Sequence, residues 1–293
     1  DEGANEPRLV AQHVQRFESG DSCPRLPTAL PAAACETYDS LARHLAAASE
    51  PALQELSRIQ LATVSTEVMN SEIAGAGATA GANKRQWLLA QRFDVTAPEM
   101  VESIWSPAER VGTIPLVGLA LPLDGGPLPS GRAFCFLRIG SETTGLPIHL
   151  NAHFAVHSNR RGILRDDGSD GTDGGGLVAS SADKHARWRA WNQLLLDSAL
   201  PRLYLDVLLT LKQRADQYPA ERPRMTSILL SALPDLQKAK APWAACATQL
   251  YRLAQSEPIL PSVAGLRWIT PADAHVFSTP TDAFRTLRSE LHR

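Results

Sequence analysis

Three histidines, His149, His153 and His157, recur four residues apart within PIHLNAHFAVH. On a helix, that spacing sets neighbouring imidazoles on one face, a workable zinc arrangement. The residues around them favour a strand instead. At about 3.3 Å per residue, positions four apart lie roughly 13 Å from each other, too far to share one ion. No metal site is expected, and the three histidines fall with Asn151 on one face of that strand. Asp166, Asp167, Asp170 and Asp173 sit in RDDGSDGTDGGG, which lacks both the EF-hand spacing and the closing glutamate that calcium would need. Ser158 adjoins His157, yet no GxSxG elbow exists to aim a nucleophile. The remaining reactive group is cationic. Asn159, Arg160 and Arg161 follow the histidine strand, and a guanidinium is the fork that matches paired phosphate oxygens. The same two arginines could equally be a solvated strand end pairing with Asp166 and Asp167.

Stepping outward, the elements that must hold these residues change character along the chain. Residues up to about Pro31 are polar and rich in proline, which predicts an extended or loosely packed lead-in. Helical spacing then joins Tyr38, Leu41 and Leu45, and a short helix is expected through PALQELSRI with Pro51 in its first turn. IQLATVSTEV, KRQWLLAQRF, TIPLVGLALPL, GRAFCFLRI and LPIHLNAHFAV read as five strands. After the Gly/Asp stretch the period becomes helical in HARWRAWNQLLLDSALPRLYLDVLLTLKQRA, where Pro201 should kink the axis. Trp188, Trp191, Leu194, Leu195 and Tyr204 share that helical spacing and are expected to join the two parts. RMTSILLSALPDL and PWAACATQLYRLAQ predict further helices. In RWITPADAHVF a short strand precedes a helix capped by Thr270, with Pro271 at its first position. Strands first and helices later predict an α+β fold, a mostly antiparallel sheet with packed helices and a helical C-terminal section. The expected parts are a lead-in over 1–58, a sheet over 59–165, a flexible linker over 166–183 and a helical part over 184–293.

Composition narrows the classes of function. The 293 residues are 44% hydrophobic and carry a net charge of −2, so a sizeable core is available. Overall charge gives no reason to expect nucleic acid or an anionic membrane. No apolar run reaches the roughly 20 residues of a membrane span. Cys23, Cys35, Cys135 and Cys246 form no CxxC pair, which points to a reduced, cytoplasmic setting with Cys135 as a small buried hydrophobe. The start at Asp1, without an initiator methionine or signal core, suggests a piece of a longer chain.

Three blocks in order, GRAFCFL, TGLPIHLNAHFAVHSNRRGI and WNQLLLDSALPRLYLDVLL, resemble the repeat of the sacsin family. Thinner agreement runs from Ile59 to Phe277 through KRQWLLAQRF, VGLALPL and RWITPADAHVF. Gly131, Phe134, Gly145, Pro147, His149, Asn151, Trp191, Asn192, Pro201, Tyr204 and Trp268 carry the resemblance. It implies a segment akin to a middle domain, downstream of an ATP-binding domain similar to that of the ninety-kilodalton heat-shock chaperones. ATP and Mg would belong to that parent protein, with no cofactor held here, because the asparagine helix, DxGxG and glycine lid of such domains are missing. The resemblance also implies that Arg160, Arg161 and Asn159 sense the terminal phosphate of the neighbouring nucleotide. Ala152, His153 and Leu164 depart from the family pattern. The expected function is a chaperone or co-chaperone segment coupling the ATPase to client proteins, alongside the seventy-kilodalton heat-shock chaperone system, without enzymatic activity of its own. The alternatives are a passive interaction scaffold and an autonomous hydrolase.

Overall fold

The computed structural model describes residues 8–16, 47–49, 51–52, 57, 59–69, 83–95, 114–124, 130–140, 143–165, 179–262 and 267–274. The fold is α+β. A seven-stranded sheet runs in the order β1-β2-β3-β4-β7-β5-β6. Its strands are β1 (Arg8–Arg16), β2 (Gln60–Met69), β3 (Asn83–Phe93), β4 (Leu116–Pro122), β5 (Ala133–Cys135), β6 (Leu137–Arg138) and β7 (His149–Ala152). Every pairing is antiparallel except that of β5 with β7.

Register explains the sheet's inner face. Leu88 lies opposite Leu121 and Ala90 opposite Leu119, while Leu119 faces Leu150 and Val117 faces Ala152 on the other side. All of these side chains are at most 3% exposed. Period-two alternation thus delivers one continuous apolar surface across three strands.

The helices are α1 (Ala179–Leu194), α2 (Leu200–Gln217), α3 (Arg222–Ser231) and α4 (Ala244–Ala254); α2 packs on β3 and β4, and α3 and α4 pack on α2. Between α1 and α2, Leu195–Ala199 widens into one π turn. Pro201 is the cause. It brings no N–H to the ladder, and the looser turn before it, closed by the Leu200 amide on the Leu195 carbonyl, absorbs the defect. Trp191, Leu195, Leu203, Tyr204, Val207 and Leu208 are essentially inaccessible and share one apolar core with Leu88, Leu119 and Leu150. Removing one such leucine costs about 2–5 kcal/mol. Sheet and helices are therefore held by common packing. A small hairpin, β8 (Leu260–Pro261) with β9 (Trp268–Ile269), follows α4.

Several expectations need correction. The lead-in contains β1, paired along its length with β2, so the sheet does not begin at residue 59. A polar strand such as RLVAQHVQR carries little apolar signal of its own, and its partner supplies the hydrogen bonds. GRAFCFLRI is two strands, not one, because the chain doubles back at Phe136 and sets Cys135 opposite Leu137. LPIHLNAHFAV is a strand only over His149–Ala152. Helix α1 begins at Ala179, inside the span expected to be linker. The final helix of the sequence reading is a single 3-10 turn, Pro271–Asp273, whose amide at Asp273 donates to Thr270 Oγ1 at 3.1 Å. The expected helix around Tyr38, Leu41 and Leu45, most of PALQELSRI, and the acidic stretch from Asp166 through Asp173 lie outside the described residues.

Candidate functional site

The motif residues of the sheet converge on β7 and on the turn beyond it. Leu150 and Ala152 point into the core, so His149, Asn151 and His153 take the opposite face. That part of the expectation holds for these three. His157 stands past the end of the strand, where Val156 bridges Ile163.

Each outward side chain has a separate task. His149 stacks on Trp87 with centroids 5.3 Å apart and meets Phe134 edge-on at 5.9 Å. Its Nδ1 accepts the Arg132 amide at 3.0 Å. Burial, with the charges of Arg132 and Arg85 added, lowers its pKa. His153 packs against Phe136 with centroids 4.5 Å apart, and burial lowers its pKa to about 4. Among the described residues no three His, Cys, Asp or Glu side chains group as a metal site.

Asn151 Oδ1 accepts the Phe136 amide at 3.3 Å. Phe136 adopts φ 59, a left-handed conformation that costs a bulky L-residue roughly 1–2 kcal/mol. Arg160 braces the same turn from its other side. Its Nη2 donates to the carbonyls of Cys135 at 2.8 Å and Leu137 at 3.4 Å. Arg160 is itself left-handed at φ 54, and its carbonyl accepts the Gly140 amide at 2.8 Å. The turns at 135–137 and 158–161 therefore interlock.

The three residues implied as a phosphate sensor are separated by this geometry. Asn159 Oδ1 accepts the Arg161 amide at 2.9 Å and shapes its own turn. The Arg160 guanidinium lies on backbone carbonyls. Arg161 is exposed at the turn's surface, and no described residue bonds its guanidinium.

Two glycines fit close approaches. A Cβ on Gly131 would stand 1.7 Å from the Ile148 carbonyl oxygen. Gly145, at φ +77, would place one 1.9 Å from the Lys238 carbonyl, where the sheet meets the segment between α3 and α4. Pro147 lies half-buried in the run between Gly145 and β7.

Helix α1 reads this region through two side chains. Trp191 Nε1 donates to the His153 carbonyl at 2.9 Å. Asn192 accepts the Ala155 amide at 2.8 Å and donates to the carbonyls of Ala155 at 2.7 Å and Leu164 at 2.9 Å. Farther away, the Tyr204 hydroxyl donates to the Ala232 carbonyl. Trp268 Nε1 donates to Asp216 at 2.7 Å, with Lys212 and Arg222 over its ring. These two serve packing of the helical part.

Two features escape a reading of residue types. Phe136 and Leu137 are 71% and 67% exposed. Their signal is a break in alternation, the unbroken apolar run AFCFL where period two allows every second residue. The second feature is polar. Arg92 continues the inner face of β3 and pairs with Asp206 of α2, while the fully buried Asp94 lies 4.0 Å from Arg202. The signal for it is RFD at the end of an apolar strand.

No protein-family model matches the chain, and no solved structure matches it. Sacsin of Homo sapiens is 31% identical to it over 147 residues, which is 49% of this chain. The chain contains a sacsin-related region. It spans about 3% of the length of Sacsin. Among the described residues, no helix is long and apolar enough to cross a membrane.

Proposed function

We propose that this chain is an interaction segment of a chaperone or co-chaperone, passing the nucleotide state of an upstream ATP-binding domain to a client-binding surface. The observation that carries the reading is the identity to Sacsin over 147 residues. Such segments act by two-state domain movement, with no local reactive group required. On this reading the segment holds neither ATP nor Mg, performs no reaction alone, and works in the cytoplasm with client proteins and the seventy-kilodalton heat-shock chaperone system.

Arg161 is then the phosphate-facing cation. The backbone that carries this charge is braced, and stabilisation of a transferring phosphoryl group needs a cation of fixed position. Arg160 and Asn159 become positioning residues for that turn. A passive scaffold is the second reading, favoured by the Arg160 guanidinium being occupied by the Cys135 and Leu137 carbonyls.

The test uses the parent protein with its upstream domain. Arg161→Ala should lower ATP turnover while thermal stability and nucleotide affinity hold; a full arginine finger would cost about 10³-fold or more. Turnover equal to the parent hands the case to the scaffold. ATP hydrolysis by the present chain alone, above a heat-treated control, contradicts the non-enzymatic part of the proposal.

A further inference from the structure

The loop that carries Arg160 and Arg161 is a short hairpin with two separate attachments. Leu164 donates its amide to the Ala155 carbonyl at 2.9 Å, Val156 bridges Ile163, and His157 donates to the Gly162 carbonyl at 3.1 Å. Residues 155–164 are therefore one closed unit. At its base Ala155, Ile163 and Leu164 are buried, and the buried Asn192 of α1 bonds both limbs. Trp191 fixes the chain just before the hairpin through the His153 carbonyl. At the tip, Arg160 lies on the carbonyls of Cys135 and Leu137, and Gly140 donates to the Arg160 carbonyl.

The two attachments differ in what can replace them. Leu137 is exposed, so water can take over the tip bond to its carbonyl at little cost. The Ala155 amide and the Leu164 carbonyl meet Asn192 away from solvent, where a backbone group must keep a protein partner. Displacing the hairpin therefore carries α1 along or breaks buried bonds. Helix α1 runs through the π turn into α2, and α4 packs on that turn, so the hairpin is tied to the helical part as well as to β7.

We propose that Asn192 is a positioning residue for Arg161, and that α1 is the element through which movement of the helical part sets where this cation stands. The inference rests on Arg161 being the phosphate-facing cation, and adds what governs it. Arg161 reaches a nucleotide only while α1 holds the base of the hairpin. Asn192 touches no nucleotide and acts through the backbone of Ala155 and Leu164.

A double-variant cycle on ATP turnover, in the parent protein with its upstream domain, tests this. Asn192→Ala is made alone and together with Arg161→Ala, and every protein is assayed where unfolding measurements show it native. Asn192→Ala alone should lower kcat about tenfold or more with KM for ATP held, because small displacements of a positioned group are costly. In the Arg161→Ala background the same substitution should change kcat by less than about twofold, since the cation that it positions is gone. A merely structural role lowers turnover equally in both backgrounds. Trp191→Phe keeps an aromatic ring in place and drops the bond to the His153 carbonyl. It should give the same pattern on a smaller scale, and it decides the matter where Asn192→Ala does not fold. The inference is overturned if Arg161→Ala lowers turnover while neither α1 variant does, or if the losses are equal in both backgrounds. Turnover unchanged by Arg161→Ala removes the phosphate-facing reading itself, and this inference falls with it.

Discussion

Asn192 closes around the peptide of Ala155, accepting its amide at 2.8 Å and donating to its carbonyl at 2.7 Å. A third bond reaches the Leu164 carbonyl at 2.9 Å, so one buried side chain of α1 satisfies both limbs of the loop that carries Arg160 and Arg161. Backbone groups in such a place have no water to turn to.

Asn192→Ala should therefore destabilise the protein by about 2–4 kcal/mol, since it strands the buried Ala155 amide and the Leu164 carbonyl, while the Ala155 carbonyl keeps the Leu164 amide. Urea unfolding at constant slope would measure this. The variant should also speed proteolysis around Arg160 and Arg161. A loss below about 0.5 kcal/mol would mean that water replaces Asn192 and that the loop does not depend on α1.

Acid should weaken the fold through His153. Its pKa falls from an ordinary 6.5 to about 4 on folding, because burial disfavours the imidazolium. Between those values the unfolded chain binds the extra proton, so stability declines as pH drops through that window and is unaffected above it. Given the partial exposure of the ring, the loss is about 1–2 kcal/mol. His153→Phe should flatten the decline in thermal unfolding between pH 6.5 and about 4. A profile unchanged by the substitution would assign the acid sensitivity elsewhere.

The half-buried ion pair between β3 and α2 makes a separate prediction. Burial pushes the Asp206 carboxyl above its ordinary range, while Arg92 pulls it back and Asp94 pushes it further. Arg92 also donates to the Ser57 carbonyl at 3.0 Å. Arg92→Met leaves Asp206 without its counter-charge and should cost about 2–3 kcal/mol. Arg92→Met combined with Asp206→Leu should recover most of that loss, because the pair is replaced as a unit. Additive losses in the double variant would show that the two side chains do not act together.

Much of the architecture was legible in the chain because period does not depend on distant contacts. QLATVSTEVM, NKRQWLLAQRF and LVGLALP form strands close to where β-branched and apolar residues placed them. The run around Trp191 forms helix, and a π turn stands directly before Pro201. Strand β1 was not legible as part of the sheet. Its residues alternate weakly, and only β2 alongside makes them a strand.

The site shows the same division more sharply. Gly131, Gly145, Asn151, Trp191 and Asn192 could be picked out by type and order, since their resemblance to a known repeat lies in the sequence itself. Their jobs could not. Whether an arginine faces solvent or folds onto a carbonyl depends on φ at Arg160 and on the turn at Phe136, which lies 24 positions away in sequence (160 − 136).

Sequence alone determined the period, and therefore the central strands, the long helical run and the apolar face. Tertiary structure alone decided that Arg160 braces while Arg161 stays exposed, that Phe136 stands in solvent, and that Arg92 meets Asp206 at the half-buried margin of the core. The reason is physical. Periodicity is a local property of the backbone, whereas strain, burial and charge pairing arise when segments far apart in the chain compete for the same space.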